Sequence, residues 1–196
     1  GLDTLEGMVR FIKKVLWGTF TVEGIGAVLY TCCFIPEYGT ARGIFYGIFH
    51  AVSAFCNAGV DILGNSSLMK YAVSPGINFT TMLIVILSGL GFPVWYDIID
   101  NLRNTVKSRG KRPVKWLFTK LELQSKIVLV MTAFLLLSGT VGFFFMEYSN
   151  PATMGGFTIP QKLMASAFQS VTTRTAGFAA VSQSGLTQGS RLLGCI

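Results

Sequence analysis

The sequence has 196 residues, a mean hydropathy of +0.56 and 13% charged residues, against about 25% in a water-soluble domain. So little charge cannot cover a soluble surface, which excludes the ordinary soluble classes and favours a membrane protein. The net charge of +7 does not indicate nucleic acid: eight of the sixteen Lys and Arg lie between Arg103 and Lys126, between two apolar stretches, where the positive-inside rule places a cytoplasmic loop.

In chain order, residues 15–36 form the first candidate span. About 20 residues cross roughly 30 Å of hydrocarbon, and this stretch carries one charge, Glu23. Arg10, Lys13 and Lys14 precede it and put its start in the cytoplasm. Pro36-Glu37-Tyr38-Gly39 ends it on the outer side. Thr40 is a candidate N-cap for a short helix at 41–56. The apolar part of that helix, residues 43–55, is only about 20 Å long. It can enter a bilayer but not leave by the far side, which marks a re-entrant segment. Asn57-Ala58-Gly59 turns the chain back (return 57–61), and a polar outer loop follows.

Residues 77–99 are the second candidate span. Gly89 and Gly91 suit close helix packing, and Pro93 suits a kink. Next come a basic cytoplasmic loop at 103–126 and a span at 127–147, free of charge before Glu147. Thr158 and Pro160 mark the start of a second short helix, 159–171, followed by a second return at 172–178. A further apolar segment opens near Ser190. The four cysteines, Cys32, Cys33, Cys56 and Cys195, form no C-x-x-C pair, and His50 stands alone, so disulfide and zinc readings carry little weight.

The order of elements repeats: span, short helix, return, span, then the same again. Residues 1–102 make one unit, and 127–196 make a second that is truncated. The returns align as Asn57-Ala58-Gly59-Val60 and Thr175-Ala176-Gly177-Phe178. Irregular backbone at membrane depth survives only when buried in protein or lining a water-filled cavity. Carbonyls aimed at an axis can replace the water shell of a monovalent cation, and Gly permits the φ > 0 geometry that aligns them. The negative dipole end of each short helix points toward the same place. One such unit cannot ring an axis, so the chain is expected to be part of a longer protein with about four units, or to oligomerise.

"FHAVSAFCNAGVD" (Phe49 to Asp61), "ASAFQSVTTRTAGF" (Ala165 to Phe178) and "VEGIGA" (Val22 to Ala27) resemble the Trk/Ktr/HKT superfamily of potassium transporters, and most resemble its bacterial KtrB-type membrane subunits. The match covers nearly the whole chain. The resemblance implies an all-α membrane fold of tandem M1–P–M2 repeats: helix, re-entrant pore helix with filter loop, helix. This chain would be repeat two and part of repeat three, with the glycine-rich intramembrane gate beyond residue 196. It implies Gly59 and Gly177 as filter glycines, with carbonyls of Asn57, Ala58, Thr175 and Ala176 binding K⁺ as the transported ion, and Na⁺ as a candidate coupling ion. It implies a homodimer in the cell membrane, filter mouths outward, gated by a cytosolic nucleotide-binding ring of the KtrA/TrkA type. Val60 departs from the aromatic that the family usually carries after the glycine.

Four further residues are candidates for filter support: Glu23, Asp61, Thr173 and Arg174. Glu23 is an intramembrane charge, a functional residue by default. It either holds filter N–H groups or fixes helix packing. Arg174 points away from a cation path to tie the loop to a neighbour, or selects by repulsion. Asp61 gathers cations at the outer mouth or is a solvated loop acid. His50 reads as packing. The basic loop fixes topology, and contact with anionic lipid or the regulator is open. Three function classes compete: a potassium pore, including a sodium-permeable HKT-like variant; a secondary carrier with a broken-helix site; and a membrane enzyme. Complete short helices ahead of the returns favour the pore. Glu23 and His50 are the sole candidates for catalysis, and no motif links them.

Overall fold

A computed structural model describes residues 5–64, 67–107, 118–174 and 176–195. Among these the structure is all-α. The first helix, α1, runs Leu5–Tyr38 and is about 51 Å long. It contains the expected span and extends it by about three turns at the basic N-terminal end. The second, α2, is Thr40–Phe55, about 24 Å. Its N-cap is Gly39 at φ 77°, with no side-chain cap, so Thr40 is the first helical residue and not the cap. Gly39 N–H donates to the Ile35 carbonyl at 3.0 Å, which closes α1 before the chain doubles back.

At Gly43 and Gly47, α2 lies directly on the backbone of α1. A Cβ at Gly47 would stand 2.8 Å from the Thr31 nitrogen and 2.9 Å from the Ala27 carbonyl oxygen, and one at Gly43 would stand 2.8 Å from Ile35 Cα. Small residues four apart permit this approach in a membrane, where packing and not hydrophobicity holds helices together.

The expected single span 77–99 is not continuous. Helix α3, Pro75–Leu90, ends at Gly91 (φ 83°, ψ 151°), and α4, Phe92–Lys107, leaves at 97° to it. Pro93 sits in the first turn of α4, where its missing N–H is no loss. It starts a helix there and does not kink one. Helix α4 is amphipathic: Trp95, Ile98, Ile99 and Leu102 share one face, and Asp97, Asp100, Asn101 and Asn104 the other. Trp95 Nε1–H donates to the Leu87 carbonyl at 2.8 Å and braces the elbow.

Helix α5 is Leu123–Glu147, α6 is Ile159–Thr172, and the short α7 is Gln188–Leu193. At the start of α6, Gln161 Oε1 accepts from the Thr158 N–H at 2.9 Å, and Pro160 occupies the first turn. Among the described residues two helices are long and apolar enough to cross a membrane, Glu6–Tyr38 and Leu123–Glu147, or up to three spans if the bent pair α3–α4 counts as one. Both long helices expose large apolar side chains, among them Trp17, Phe20, Val28, Phe134, Leu137 and Phe145.

One core joins the two halves. Tyr30 and Phe34 of α1, Ala51 and Ala54 of α2, Ile77, Ile84 and Val85 of α3, Phe168 and Val171 of α6, and Phe178 pack in a single cluster. Tyr30 Oη and Thr81 Oγ1 share a hydrogen bond of 2.6 Å at its centre. The segment after each return forms a short 3₁₀ turn, Ser67–Tyr71 and Gln183–Gly185.

Candidate functional site

The two returns meet. Asn57 (φ 51°) and Gly59 (φ 63°) turn the chain after α2, and Gly177 (φ 78°) turns it after α6. An L side chain pays for such φ values, and Gly does not. The closeness is also lateral. A Cβ on Gly59 would stand 2.7 Å from Gly177 Cα and closer still to the Ala176 carbonyl oxygen, whereas one on Gly177 would stand 3.5 Å from Gly59 Cα. Two segments separated by 118 positions (177 − 59) are therefore in backbone contact.

Each turn is hung from its own helix in the same way. Ala58 N–H donates to the Ser53 carbonyl at 2.9 Å, and Ala176 N–H to the Thr172 carbonyl at 3.0 Å. The Ser53 hydroxyl donates to the Val60 carbonyl at 2.6 Å, and the Thr172 hydroxyl to the Phe178 carbonyl at 2.6 Å. The carbonyl one residue past each glycine is thus held back toward the helix. Those of Asn57, Ala58, Gly59, Ala176 and Gly177 accept no hydrogen bond from a described residue. A hydroxyl in the last turn of each short helix was the available sequence signal for Ser53 and Thr172. Sequence reasoning missed them as anchors.

The surroundings of the two turns differ. Phe178 is buried and stacks on His50, with ring centroids 6.4 Å apart at 23°. His50 is itself fully buried, its Nδ1 2.7 Å from the Tyr46 carbonyl. Its role is to pack the first short helix on the second return. Val60, in the corresponding place, is 54% exposed. The Asn57 side chain reaches the other way and donates from Nδ2 to Ser88 Oγ on α3 at 3.1 Å.

The expected support residues are dispersed. Asp61 turns on its own loop, Oδ1 accepting from the Leu63 N–H at 3.3 Å. The Thr173 hydroxyl bonds back to the Gln169 and Ser170 carbonyls. Arg174 lines a cavity of about 240 Å³ between α3 and α5, with Ile86, Gly89, Thr132 and Leu136, and pairs with no described carboxylate. Half-buried Glu23 makes no hydrogen bond to a described residue of either return. Thr175, and residues 108–117 of the basic loop, lie outside the described residues.

Carboxylates act farther out, at the ends of the long helices. Glu147, fully buried, accepts from Asn150 Nδ2 at 2.7 Å, the Thr153 hydroxyl at 2.5 Å, and the N–H and hydroxyl of Thr187 at 2.9 and 2.8 Å. Glu37 holds the Tyr71 hydroxyl at 2.6 Å and forms an ion pair with Lys70. Burial and the neighbouring Tyr38 hydroxyl push the Tyr71 phenol above its ordinary range. In both halves a glutamate at the end of the long helix clasps the segment that leads into the next one. Their partners are remote in sequence, which hid this pattern. Among the described residues no cluster of His, Cys, Asp and Glu suits a resident metal ion.

The family model for TrkH, described as cation transport protein, matches residues 3–193. The chain belongs to the TrkH family. Its relatives include Ktr system potassium uptake protein B of Bacillus subtilis, 34% identical over 95% of this chain and 38% of the relative. The protein of the same name from Vibrio alginolyticus is 36% identical over 98% of this chain and 40% of its own length. Potassium/sodium uptake protein NtpJ of Enterococcus hirae is 38% identical over 90% and 36%. This TrkH-family chain spans about two fifths of the length of the relatives it matches.

Proposed function

We propose that this chain supplies two neighbouring sectors of a potassium uptake pore, each an M1–P–M2-type unit whose return is a filter loop. In the first unit α1, α2 and the bent pair α3–α4 play these parts. In the second, α5 and α6 do. The observation that carries the reading is the backbone contact of the two returns, with the carbonyls of Asn57, Ala58, Gly59, Ala176 and Gly177 free of donors from the described residues. Carbonyls of Asn57, Ala58, Gly59, Thr175, Ala176 and Gly177 would replace the water around a monovalent cation. Ser53 and Thr172, which hold the carbonyl after each glycine, join Glu23, Asp61, Thr173 and Arg174 as filter-support residues in this reading. No bond is made or broken; the ion moves down its gradient.

A complete ring needs further units, supplied by the rest of a longer polypeptide. The relatives named as parts of a Ktr system support partner components, which we take to be a second copy and a cytosolic nucleotide-binding ring. The basic segment 103–126 faces that ring in the cytoplasm, and the returns open outward. Permeation by sodium is the second reading, supported by the potassium/sodium name of one relative and by the open flank at Val60.

The test is ion flux into proteoliposomes holding the full-length protein, for the parent and for Gly59→Ser and Gly177→Ser. Both variants are expected to lose potassium flux or its preference over sodium. Unchanged flux and preference in both would reject the filter.

A further inference from the structure

A groove remains at the far end of α1, away from the returns. Arg10, Lys13, Lys14, Trp17, Gly18 and Thr21 recur at three- and four-residue spacing and form one face of α1. Trp95, Tyr96, Ile99, Asp100 and Arg103 of α4 form the opposite wall of a cavity of about 490 Å³. Its floor is open because Gly18 has no side chain: a Cβ there would stand 3.4 Å from Tyr96 Oη and 3.5 Å from the Trp95 ring. Lys14 Nζ lies 5.3 Å from the centre of the Tyr96 ring. Four cations line the groove against one carboxylate, Asp100, and none of the four forms an ion pair with a described residue.

The depth of the groove is fixed by helix length. From Trp17 to Tyr38 is 21 residues, about 32 Å along the axis, the thickness of a bilayer's hydrocarbon core. Trp17 therefore lies at one membrane interface when Tyr38 lies at the other. Tryptophan and tyrosine collect at that level, and with α3 upright in the bilayer amphipathic α4, turned 97° from it, would lie along that level. Basic side chains there attract anionic headgroups.

We propose that this groove is a binding site for one anionic phospholipid, the headgroup phosphate among Arg10, Lys13, Lys14 and Arg103 and the acyl chains along Trp17 and Trp95. The occupant is a membrane lipid and not free phosphate, because the aromatic wall continues the cationic rim into the apolar zone. The site would tie α4 to the base of α1 and make the elbow's position depend on lipid composition.

Tryptophan quenching tests this. The full-length protein, with tryptophan kept only at positions 17 and 95, is reconstituted in phosphatidylcholine containing brominated phosphatidylglycerol or brominated phosphatidylcholine. A preference of about fivefold or more for the anionic lipid is expected, since one basic side chain near a charged lipid surface contributes about 1 kcal/mol. The preference falls to about one in the triple variant K13Q/K14Q/R103Q. Gly18→Leu keeps every charge and fills the floor, so it lowers the preference even if the triple variant fails to fold. Equal quenching by both lipids in the parent would overturn the proposal. So would a preference that survives the triple variant, or quenching that inorganic phosphate reverses.

Discussion

The two glycines of the returns should not be equally replaceable. At Gly177 an added methyl meets nothing closer than Gly59 Cα at 3.5 Å and the Ala58 oxygen at 3.8 Å, ordinary contacts. Gly177→Ala therefore carries the cost of its φ of 78°, about 1–2 kcal/mol for a non-glycine residue. If the turn relieves that strain by leaving its geometry, the competent population falls about 5- to 30-fold. At Gly59 the same strain applies, and the methyl also strikes the facing backbone, 2.7 Å from Gly177 Cα. Carbon atoms prefer about 3.5–4.0 Å, so the second return must withdraw by about 1 Å. Both turns are hung on short helices by several hydrogen bonds, and a displacement that large breaks the shared geometry. Gly59→Ala is expected to abolish potassium uptake, and Gly177→Ala to leave a measurable remainder. The assay is initial uptake rate at matched membrane expression, in cells deprived of their own potassium systems. Equal tolerance of the two substitutions, or the reverse order, would refute the face-to-face placement.

Ser53→Ala and Thr172→Val each delete the hydroxyl that restrains the carbonyl after a glycine, a bond contributing about 1 kcal/mol. Each should weaken discrimination against sodium in competitive flux, and Thr172→Ser should retain it. Glu147→Gln replaces a buried acceptor of four donors. We expect a loss of about 2–4 kcal/mol, read as an earlier thermal unfolding transition in detergent, with no comparable loss for Glu122→Gln. Gly47→Val places two methyl groups against the Thr31 and Ala27 backbone. Overpacking of this kind costs about 1–3 kcal/mol, and the variant should be recovered in lower yield from membranes and elute less uniformly by size-exclusion chromatography.

The short helices α2 and α6 were legible because an apolar run too short to cross stood between clear breakers, Gly39 and Asn57 in one case, Pro160 and the Thr-rich turn in the other. The elbow at Gly91 was not, because hydropathy averages over the bend. Residues 77–99 stay apolar on both sides of it, and only the backbone angle at one glycine separates a 16-residue helix from its successor. In the sequence Pro93 reads as a kink within one helix, whereas proline opens helices more readily than it interrupts them. The N-terminal turns of α1 were hidden by their lysines, which end a hydrophobic run without ending a helix. The two turns were readable because Asn57-Ala58-Gly59 and Thr175-Ala176-Gly177 stand at the same point in two copies of one hydropathy pattern; their assignment as filter residues came only from the family resemblance. The anchors were not: Ser53 and Thr172 look like ordinary small polar residues until the chain returns over them. Glu23 stands out by its charge, and charge alone does not specify which partner it holds.

The proposed filter puts main-chain oxygens without donors at membrane depth, where each carries a standing cost of several kcal/mol, and the two touching returns hold five of them. Such a cage is least stable when empty. A cargo ion would supply the missing positive partner and so become, while in transit, a structural element of the wall it passes. Potassium starvation should then loosen this protein before it silences it, with melting temperature tracking the concentration of the ion that fits and ignoring one that does not.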